Sequence, residues 1–310
     1  MIKRTLYFGN PAYLGMTDQQ LVVRLPQVEQ CTGMPDSFRR EAQAKIPIED
    51  IGIVILDNYQ ITLTHGLLNA LLENNTAVIQ CNASHLPYGL ILPLEGNSVQ
   101  SERFRTQIEA SEPLKKQLWQ QTVQYKIRNQ AALLKKVGKD QGPLYTLAKN
   151  TKSGDIMNCE GTAAAFYWQR LFSPWVNFYR RRDGDPPNNL LNYGYAILRA
   201  VVARSLVASG MLPTFGIHHR NRYNAYALAD DIMEPYRPYV DSIVYGLIST
   251  EEDYTELTTE LKKRLLSIPT EDVMIDGERS PLMVGIQRTT ASLVRCLEGS
   301  SRKILYPEFL

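Results

Sequence analysis

The residues best suited to chemistry lie in the segment from Gly216 to Pro238, which brings carboxylates and an imidazole close together in the chain. Asp231 and Glu234 are three residues apart, so in a helix they share one face. Apolar residues flank them, and two partly buried carboxylates repel each other unless a cation lies between them. A hard divalent cation meets that need.

His219 precedes this helix on a loop, from which an imidazole can reach the same face. Together with the carboxylates it would form a mixed nitrogen and oxygen site of the kind that suits Mn²⁺ or Mg²⁺. The spacing also predicts Asn224 as the residue that caps the helix. The alternative is an exposed helix whose acids face water or pair with nearby arginines, and residue types alone favour that alternative.

Glu160 belongs to a second segment, Asn158 to Trp168, in which the small residues from Gly161 to Ala165 permit close approach of another helix. Such an approach would bring Glu160 to a shared site. An acid in the first turn of a helix is also favoured by the helix dipole, whether or not it does chemistry.

The run Asp230 to Glu234 has the form DDxxE, which is the magnesium-diphosphate motif of helical isoprenoid synthases. This pattern supports a competing class, a helical enzyme that acts on diphosphates. Such enzymes need a second acidic motif downstream, and the acidic run Glu251 to Asp253 instead reads as a helix start. That class also leaves the N-terminal part of the chain unexplained.

The secondary structure that positions these residues is predicted to change from strands to helices near residue 95. Before it, short β-rich runs predict strands at 5–8, 20–25, 51–56, 61–64, 76–80 and 88–92. One helix interrupts the strands, and Thr64 is its predicted N-cap. After it, helical periodicity predicts helices over 98–110, from 112 onward, and over 158–172, 190–209, 224–249, 251–267 and 280–298. We therefore predict an α+β chain with a β-rich domain at 1–95 and an all-α domain at 96–310.

The charge distribution singles out the middle of the chain. Residues 1–95 hold 6 Lys and Arg against 9 Asp and Glu, whereas residues 96–182 hold 15 against 6 and residues 183–310 hold 13 against 17. A basic segment of this size is typical of a surface that binds a polyanion such as DNA, although solvated helix faces give the same pattern.

Several classes of protein are disfavoured by composition. No apolar run approaches the ~20 residues of a membrane-spanning helix, and the N-terminus lacks the pattern of a signal peptide, so we expect a cytoplasmic protein without a membrane partner. The cysteines form no CxxC pair, which predicts neither a disulfide framework nor a structural zinc site. They are Cys31, Cys81, Cys159 and Cys296.

Six separated stretches give the sequence a specific likeness. They are Arg4–Pro11, Pro47–Gly52, Leu94–Asn97 with Gln100–Arg105, Glu160–Ala164, Leu191–Tyr195 and Gly216–Pro238. In these stretches and in their order the chain resembles the Cas1 family of CRISPR adaptation integrases. Within that family it most resembles the type II branch. The resemblance implies an N-terminal β-sandwich domain that mediates a homodimer and a helical catalytic domain.

The same resemblance implies a metal site, because in that family a Glu at the head of a helix, a His after a glycine loop and a later helical acid bind Mg²⁺ or Mn²⁺. These positions correspond to Glu160, His219 and Glu234, with Asp231 as a supporting acid. His219 would be a ligand or a proton donor to the leaving oxygen.

The activity implied by the resemblance is integration of new spacers into a CRISPR array. The 3′-OH of a prespacer duplex would attack a phosphodiester at the leader–repeat junction, and a second attack would follow at the far end of the repeat. Water in place of the 3′-OH would give endonuclease activity. The implied partners are a second copy of this chain, a dimer of the Cas2 protein and double-stranded DNA with 3′ ends.

Arginines are the candidate contacts to DNA phosphate, and the run 180–182 is the strongest of them. The candidates are Arg103, Arg105, Arg170, Arg180, Arg181, Arg182, Arg220 and Arg222. Tyr167, Trp168 and Tyr179 are candidates for stacking on bases, although aromatic residues at helical spacing are more often core. A third hypothesis keeps this fold but makes the chain a catalytically silent DNA-binding scaffold.

Overall fold

The computed structural model describes residues 3–29, 43–173, 175, 178–250 and 253–309. The chain divides into two compact units, Met1–Gly96 and Asn97–Leu310. The first is built mainly from strands and the second mainly from helices, which confirms the predicted α+β fold class. Cys31 lies outside the described residues.

Two four-stranded sheets make up the N-terminal unit. The strands are β1 Arg4–Phe8, β2 Ala12–Thr17, β3 Gln20–Arg24, β4 Ala44–Pro47, β5 Ile51–Leu56, β6 Ile61–Leu63, β7 Ala77–Cys81 and β8 Pro87–Ile91. In the sheet ordered β1-β5-β7-β8, the first three strands are parallel and β8 is antiparallel to β7. In the sheet ordered β4-β3-β2-β6, β3 is antiparallel to both neighbours and β6 is parallel to β2.

One hydrophobic cluster fills the interior of this unit, and its side chains come from both sheets and from a helix. The short helix α1 spans Pro26–Glu29, and α2 spans His65–Glu73. As predicted, Thr64 caps α2, since its hydroxyl accepts the backbone N–H of Leu67 at 3.4 Å. Two strands that the sequence patterns missed, β2 and β4, complete the second sheet.

The C-terminal unit consists mainly of helices. They are α3 Gln100–Glu109, α4 Glu112–Lys136, α5 Leu144–Asn150, α6 Cys159–Leu171, α7 Asn188–Ala208, α8 Ala227–Met233, α9 Arg237–Ser249, α10 Thr259–Leu265 and α11 Leu282–Leu297. The prediction of an all-α unit omitted a hairpin formed by β9 Asp272–Ile275 and β10 Glu278–Pro281. Residues 276 and 277 both have positive φ, the conformation of a two-residue hairpin turn.

Helix α4 is the central element of this unit. Ser111 caps it by accepting the N–H of Leu114 at 3.4 Å, and Pro113 follows in the first turn. The helix packs against α5, α6, α9 and the turn that joins α8 to α9. Because α4 touches the start of α6 and the end of α8, it brings residues distant in the chain to one place.

The helix predicted over 224–249 is in fact two helices separated by the 3₁₀ turn Glu234–Tyr236. Pro235 and Pro238 lack a backbone N–H, so the helical hydrogen bonds cannot run uninterrupted through them. The helix predicted over 251–267 begins later, at Thr259, and residues 251 and 252 lie outside the described residues. Over the described part of the chain, no helix is both long enough and apolar enough to cross a membrane.

Candidate metal centre

Two glutamates meet across a buried lysine at the middle of α4. The ammonium of Lys126 lies 2.5 Å from Glu160 Oε1 and 2.6 Å from Glu234 Oε2. The side chains of Lys126 and Glu234 are 11% and 5% exposed, whereas that of Glu160 is 25% exposed. The structure thus places one cation between the two carboxylates that the sequence singled out.

The start of α6 fixes the position of Glu160. Asn158 has a positive φ of 49°, and its side chain accepts the N–H of Gly161 at 3.2 Å. Asp155 accepts the next free N–H groups, those of Cys159 at 2.9 Å and of Glu160 at 3.0 Å. With its backbone held on both sides, Glu160 projects from a well-defined first turn.

Glu234 is held by two cations. Arg237 Nε lies 2.9 Å from Glu234 Oε1, and Lys126 faces the other oxygen. Burial alone would raise the pKa of Glu234, but Arg237 and Lys126 outweigh it and lower the pKa to about 2. Burial would lower the pKa of Lys126, yet the charges of Glu234 and Glu160 keep it above its ordinary value. Near neutral pH Glu234 is therefore a carboxylate and Lys126 an ammonium.

His219 is held by a different carboxylate. Its Nδ1 lies 2.5 Å from Asp231 Oδ1, and the same carboxylate accepts the backbone N–H groups of His218 at 2.9 Å and His219 at 3.2 Å. The hydrogen bond to Asp231 raises the pKa of His219, and the charges of Glu234 and Glu160 act in the same direction. With Nδ1 occupied, Nε2 is the ring nitrogen available for other chemistry.

Aromatic packing completes the surroundings of His219. The buried Trp119 ring stacks on His218 with centroids 4.1 Å apart and meets His219 edge-on at 5.6 Å. Gly216 allows the loop to close, because a Cβ there would lie 2.6 Å from the His219 carbonyl oxygen and 2.7 Å from Asp231 Oδ2. Sequence patterns gave no indication of Trp119, which is one of many buried residues on α4.

Among the described residues, no three His, Cys, Asp or Glu side chains meet as an assembled metal site, and the ammonium of Lys126 stands between the two glutamates. The donor chemistry nevertheless fits a divalent cation. Glu234 Oε2 is buried and accepts no hydrogen bond. The ammonium of Lys126 lies 2.6 Å from it and contacts it as an ion pair only. An imidazole held at Nδ1 by a carboxylate, with Nε2 turned elsewhere, is also typical of metal-binding histidines.

Asp230 and Asp231 do not act as a pair. Asp230 accepts from Arg199 Nε at 2.6 Å and from Asn224 Nδ2 at 2.8 Å, whereas both oxygens of Asp231 face the loop before the helix. The two adjacent acids of the DDxxE pattern thus bind different partners, which argues against a shared diphosphate site.

The prediction that Asn224 is the N-cap of this helix is wrong, because α8 begins three residues later at Ala227.

The arginines proposed for DNA contact fall into two groups. Exposed side chains are those of Arg105, Arg181, Arg182, Arg220 and Arg222. The others are held by the fold: Arg103 bonds to the Ser209 carbonyl at 3.0 Å, Arg170 stacks on Phe166, and Arg180 bonds to Asn188 and Asn192, each at 2.8 Å. The run 180–182 therefore presents two side chains to solvent rather than three.

Two of the aromatic residues considered for base stacking are held by contacts within the fold, and only Tyr167 of them is a core residue. Tyr167 is fully buried and donates to Asp241 at 2.8 Å, and Trp168 packs on Phe172 and Phe178. Tyr179 is 65% exposed.

Asp241 is a buried acid that sequence reasoning missed. Besides the hydrogen bond from Tyr167, its carboxylate accepts one from Tyr195, whose ring lies 4.5 Å from the Arg237 guanidinium. Burial raises the pKa of Asp241 to about 6, against the opposing effect of the two tyrosine hydrogen bonds.

The sequence matches known proteins over most of its length. A family model described as CRISPR associated protein Cas1 matches residues 6–266. The CRISPR-associated endonuclease Cas1 of Neisseria meningitidis serogroup C is 37% identical over 268 residues, which cover 86% of this chain and 87% of the relative.

Two solved structures share the fold. A casposase bound to its integration product gives a TM-score of 0.78 at 20% identity, covering 98% of this chain and 92% of that one. A chain of a Cas6-RT-Cas1–Cas2 complex gives a TM-score of 0.71 at 21% identity, covering 97% of this chain and 35% of that much longer one.

Proposed function

The chain belongs to the CRISPR-associated Cas1 family, as its motifs predicted, and on that premise we propose that it is a metal-dependent DNA integrase and endonuclease that inserts spacers into a CRISPR array. The observation that carries this proposal is the approach of Glu160 and Glu234 to within 2.6 Å of one buried ammonium. His219, which Asp231 fixes, has its pKa raised in part by the charges of both glutamates. The relative from N. meningitidis is named an endonuclease, and the casposase structure holds an integration product.

Glu160, His219 and Glu234 would hold the cation, Mg²⁺ or Mn²⁺. When bound, it would polarise the scissile phosphate and stabilise negative charge on the attacking or leaving oxygen. Asp231 has both oxygens committed to the loop, so its proposed role is to support His219 rather than to touch the cation.

The reaction we propose is a transesterification. The 3′-hydroxyl oxygen of the prespacer attacks the phosphorus at the leader–repeat junction, a new P–O bond forms, and the bond to the 3′ oxygen of the leader strand breaks. The attacking hydroxyl gives up its proton to solvent and the leaving 3′ oxygen takes one up from solvent, while Asp231 holds His219 in place as a ligand. One phosphodiester replaces another, so no nucleotide hydrolysis is needed. Attack by water in place of the 3′-hydroxyl gives strand cleavage.

The partners in this proposal are DNA, a second copy of the chain and a Cas2 dimer. One solved structure that shares this fold is a Cas6-RT-Cas1–Cas2 complex, and another is a casposase bound to its integration product. We assign self-association to the N-terminal unit, because residues 1–95 carry more acidic than basic residues, 9 against 6. DNA binding is assigned mainly to residues 96–182, which hold 15 basic residues against 6 acidic ones.

A strand-transfer assay tests the proposal. Purified chain, the Cas2 protein from the same locus, a duplex with 3′-hydroxyl ends and a supercoiled plasmid carrying leader and repeat are combined with Mg²⁺ or Mn²⁺. We expect the plasmid to be joined to the duplex, and Glu160→Ala, His219→Ala or Glu234→Ala to abolish joining while leaving a folded dimer.

Glu260→Ala is the matched control, since that exposed glutamate pairs only with Lys263 among the contacts described. If one of the three variants integrates at the normal metal-dependent rate, the role of that residue is wrong. Should the wild-type chain bind DNA but never join it, the silent scaffold would replace the integrase.

A further inference from the structure

Lys126 occupies an unusual position for a lysine. Its ammonium is within 2.6 Å of two carboxylates that come from different helical segments, and its side chain is 11% exposed. Long cationic side chains are seldom buried unless they are paired. Here the pairing is double: one ammonium faces both Glu160 and Glu234, and Arg237 supplies the second positive charge to Glu234.

A lysine in this place does what a divalent cation would do. Without a cation between them, two partly buried carboxylates would repel each other and separate. A metal ion that takes up oxygens from both glutamates needs the space in which the ammonium now lies. The proposed metal and Lys126 therefore compete for the same pair of carboxylates.

The structure offers the ammonium a second place. Gln130 is one helical turn further along α4, and its Oε1 is buried without a hydrogen-bond partner among the described residues. Lys126 and Gln130 both line a cavity of about 120 Å³, and its other charged lining residues are Glu234, Arg237, Arg180 and Asp241. Residues four apart on a helix are neighbours, so a change of side-chain rotamer can carry the ammonium from the glutamates to this amide oxygen.

We propose that Lys126 is a positioning residue that holds Glu160 and Glu234 together before metal binds and then withdraws to Gln130 Oε1. This inference rests on the proposed metal site, and it adds that metal binding and lysine displacement are one event. The lysine keeps both glutamates in register for the cation, at the cost of weaker metal affinity.

Crystal structures of the full chain grown without and with Mn²⁺ test the displacement directly. With Mn²⁺ on the two glutamates, we expect Lys126 Nζ to lie beyond the ion-pair distance of ~4 Å from both of them and to contact Gln130. If Lys126 keeps both contacts while Mn²⁺ is bound, the displacement is wrong although the metal site stands. Absence of Mn²⁺ at the glutamates overturns the proposed metal site itself.

Calorimetric titration with Mn²⁺ gives an independent readout. Lys126→Met removes the competitor, so we expect Mn²⁺ to bind on the order of tenfold more tightly. Gln130→Leu removes the acceptor that lies one helical turn away, so we expect binding several-fold weaker. If Lys126→Met is too unstable without metal to be purified, the Gln130 variant and the crystal structures still decide whether metal binding displaces the lysine.

Arg237→Met is the matched control. Arg237 also pairs with Glu234 but lies on its other oxygen, so its removal lowers the local positive charge without clearing the space between the glutamates. Displacement predicts a much smaller gain in affinity for Arg237→Met than for Lys126→Met. Equal gains in the two variants would show a general charge effect and would overturn the role of Lys126.

Discussion

Asp231 Oδ1 lies 2.5 Å from Nδ1 of His219, and the same fully buried carboxylate also accepts the backbone N–H of the loop that carries this histidine. The Asp231 side chain therefore sets the position of the loop and the orientation of the His219 ring. It also engages Nδ1, so Nε2 is the nitrogen left for a metal. Carboxylates in this position raise the basicity of the imidazole and orient it toward a metal.

Asp231→Asn tests this relationship. Asparagine is uncharged and presents only one acceptor oxygen, so we expect Mn²⁺ affinity to fall by ~10–100-fold, with strand transfer partly restored at high Mn²⁺. Asp230→Asn is the control, because Asp230 pairs with Arg199 and not with His219. Its Mn²⁺ affinity should remain near that of the wild type. Complete loss of activity in Asp231→Asn at every Mn²⁺ concentration would instead make Asp231 a direct ligand.

Gly216→Ala tests the closure of the loop. The added methyl would meet the His219 carbonyl oxygen at 2.6 Å and Asp231 Oδ2 at 2.7 Å, so the loop must shift. We expect strand transfer to fall by at least ~10-fold, with a loss of stability of about 1–3 kcal/mol. Gly246→Ala on α9 is the control, since nothing lies within 4 Å of the added atom. Full activity in Gly216→Ala would show that the loop geometry is not needed.

Within the arginine run 180–182, we expect Arg181 and Arg182 to bind DNA and Arg180 to stabilise the fold. Arg181 and Arg182 are exposed, so replacing both with Gln should weaken DNA binding and reduce the slope of log K against log salt by about one for each phosphate that is no longer neutralised. Arg180→Gln should instead lower the melting temperature, because its guanidinium holds Asn188 and Asn192. Fluorescence polarisation across a salt series measures the slopes. An unchanged slope in the double variant would remove these residues from the DNA surface.

Asp241 should make stability depend on pH in the acid range. Its pKa is about 6 in the folded chain against 3.8 for the free group, because burial disfavours the carboxylate. Between these values the folded state holds a proton that the unfolded state has lost, so the contribution of Asp241 to stability decreases as pH rises from about 4 to 6, by on the order of 2 kcal/mol. Urea unfolding over this range should therefore give a free energy of unfolding whose slope against pH is more negative in the wild type than in Asp241→Asn. Identical slopes would contradict the raised pKa.

Much of the local structure could be predicted from the sequence because its causes are local. Thr64 caps α2 as predicted, and α7 ends at Ala208, one residue before the predicted end at 209. In the N-terminal unit, six strands were predicted from short β-rich runs, whereas β2 and β4 were missed. Strand β2 contains a glycine, and β4 is four residues long with a proline at its end, so neither gives a clear pattern by itself. Both are stabilised by pairing with β3.

The sequence by itself determined the family and the residue types of the proposed site, since Glu160, His219 and Glu234 stand in recognisable motifs. Only the tertiary structure decided how these residues are held. Lys126 lies on the buried side of α4 and 34 residues from Glu160, and nothing in the local pattern says which carboxylates it will meet. The same is true of Asp231, whose spacing from Glu234 suggested one shared face, while the fold turned it toward His219. Charges in a folded interior are paired by the packing of distant helices, because each buried charge must find a partner in space, and helical spacing alone does not specify that partner.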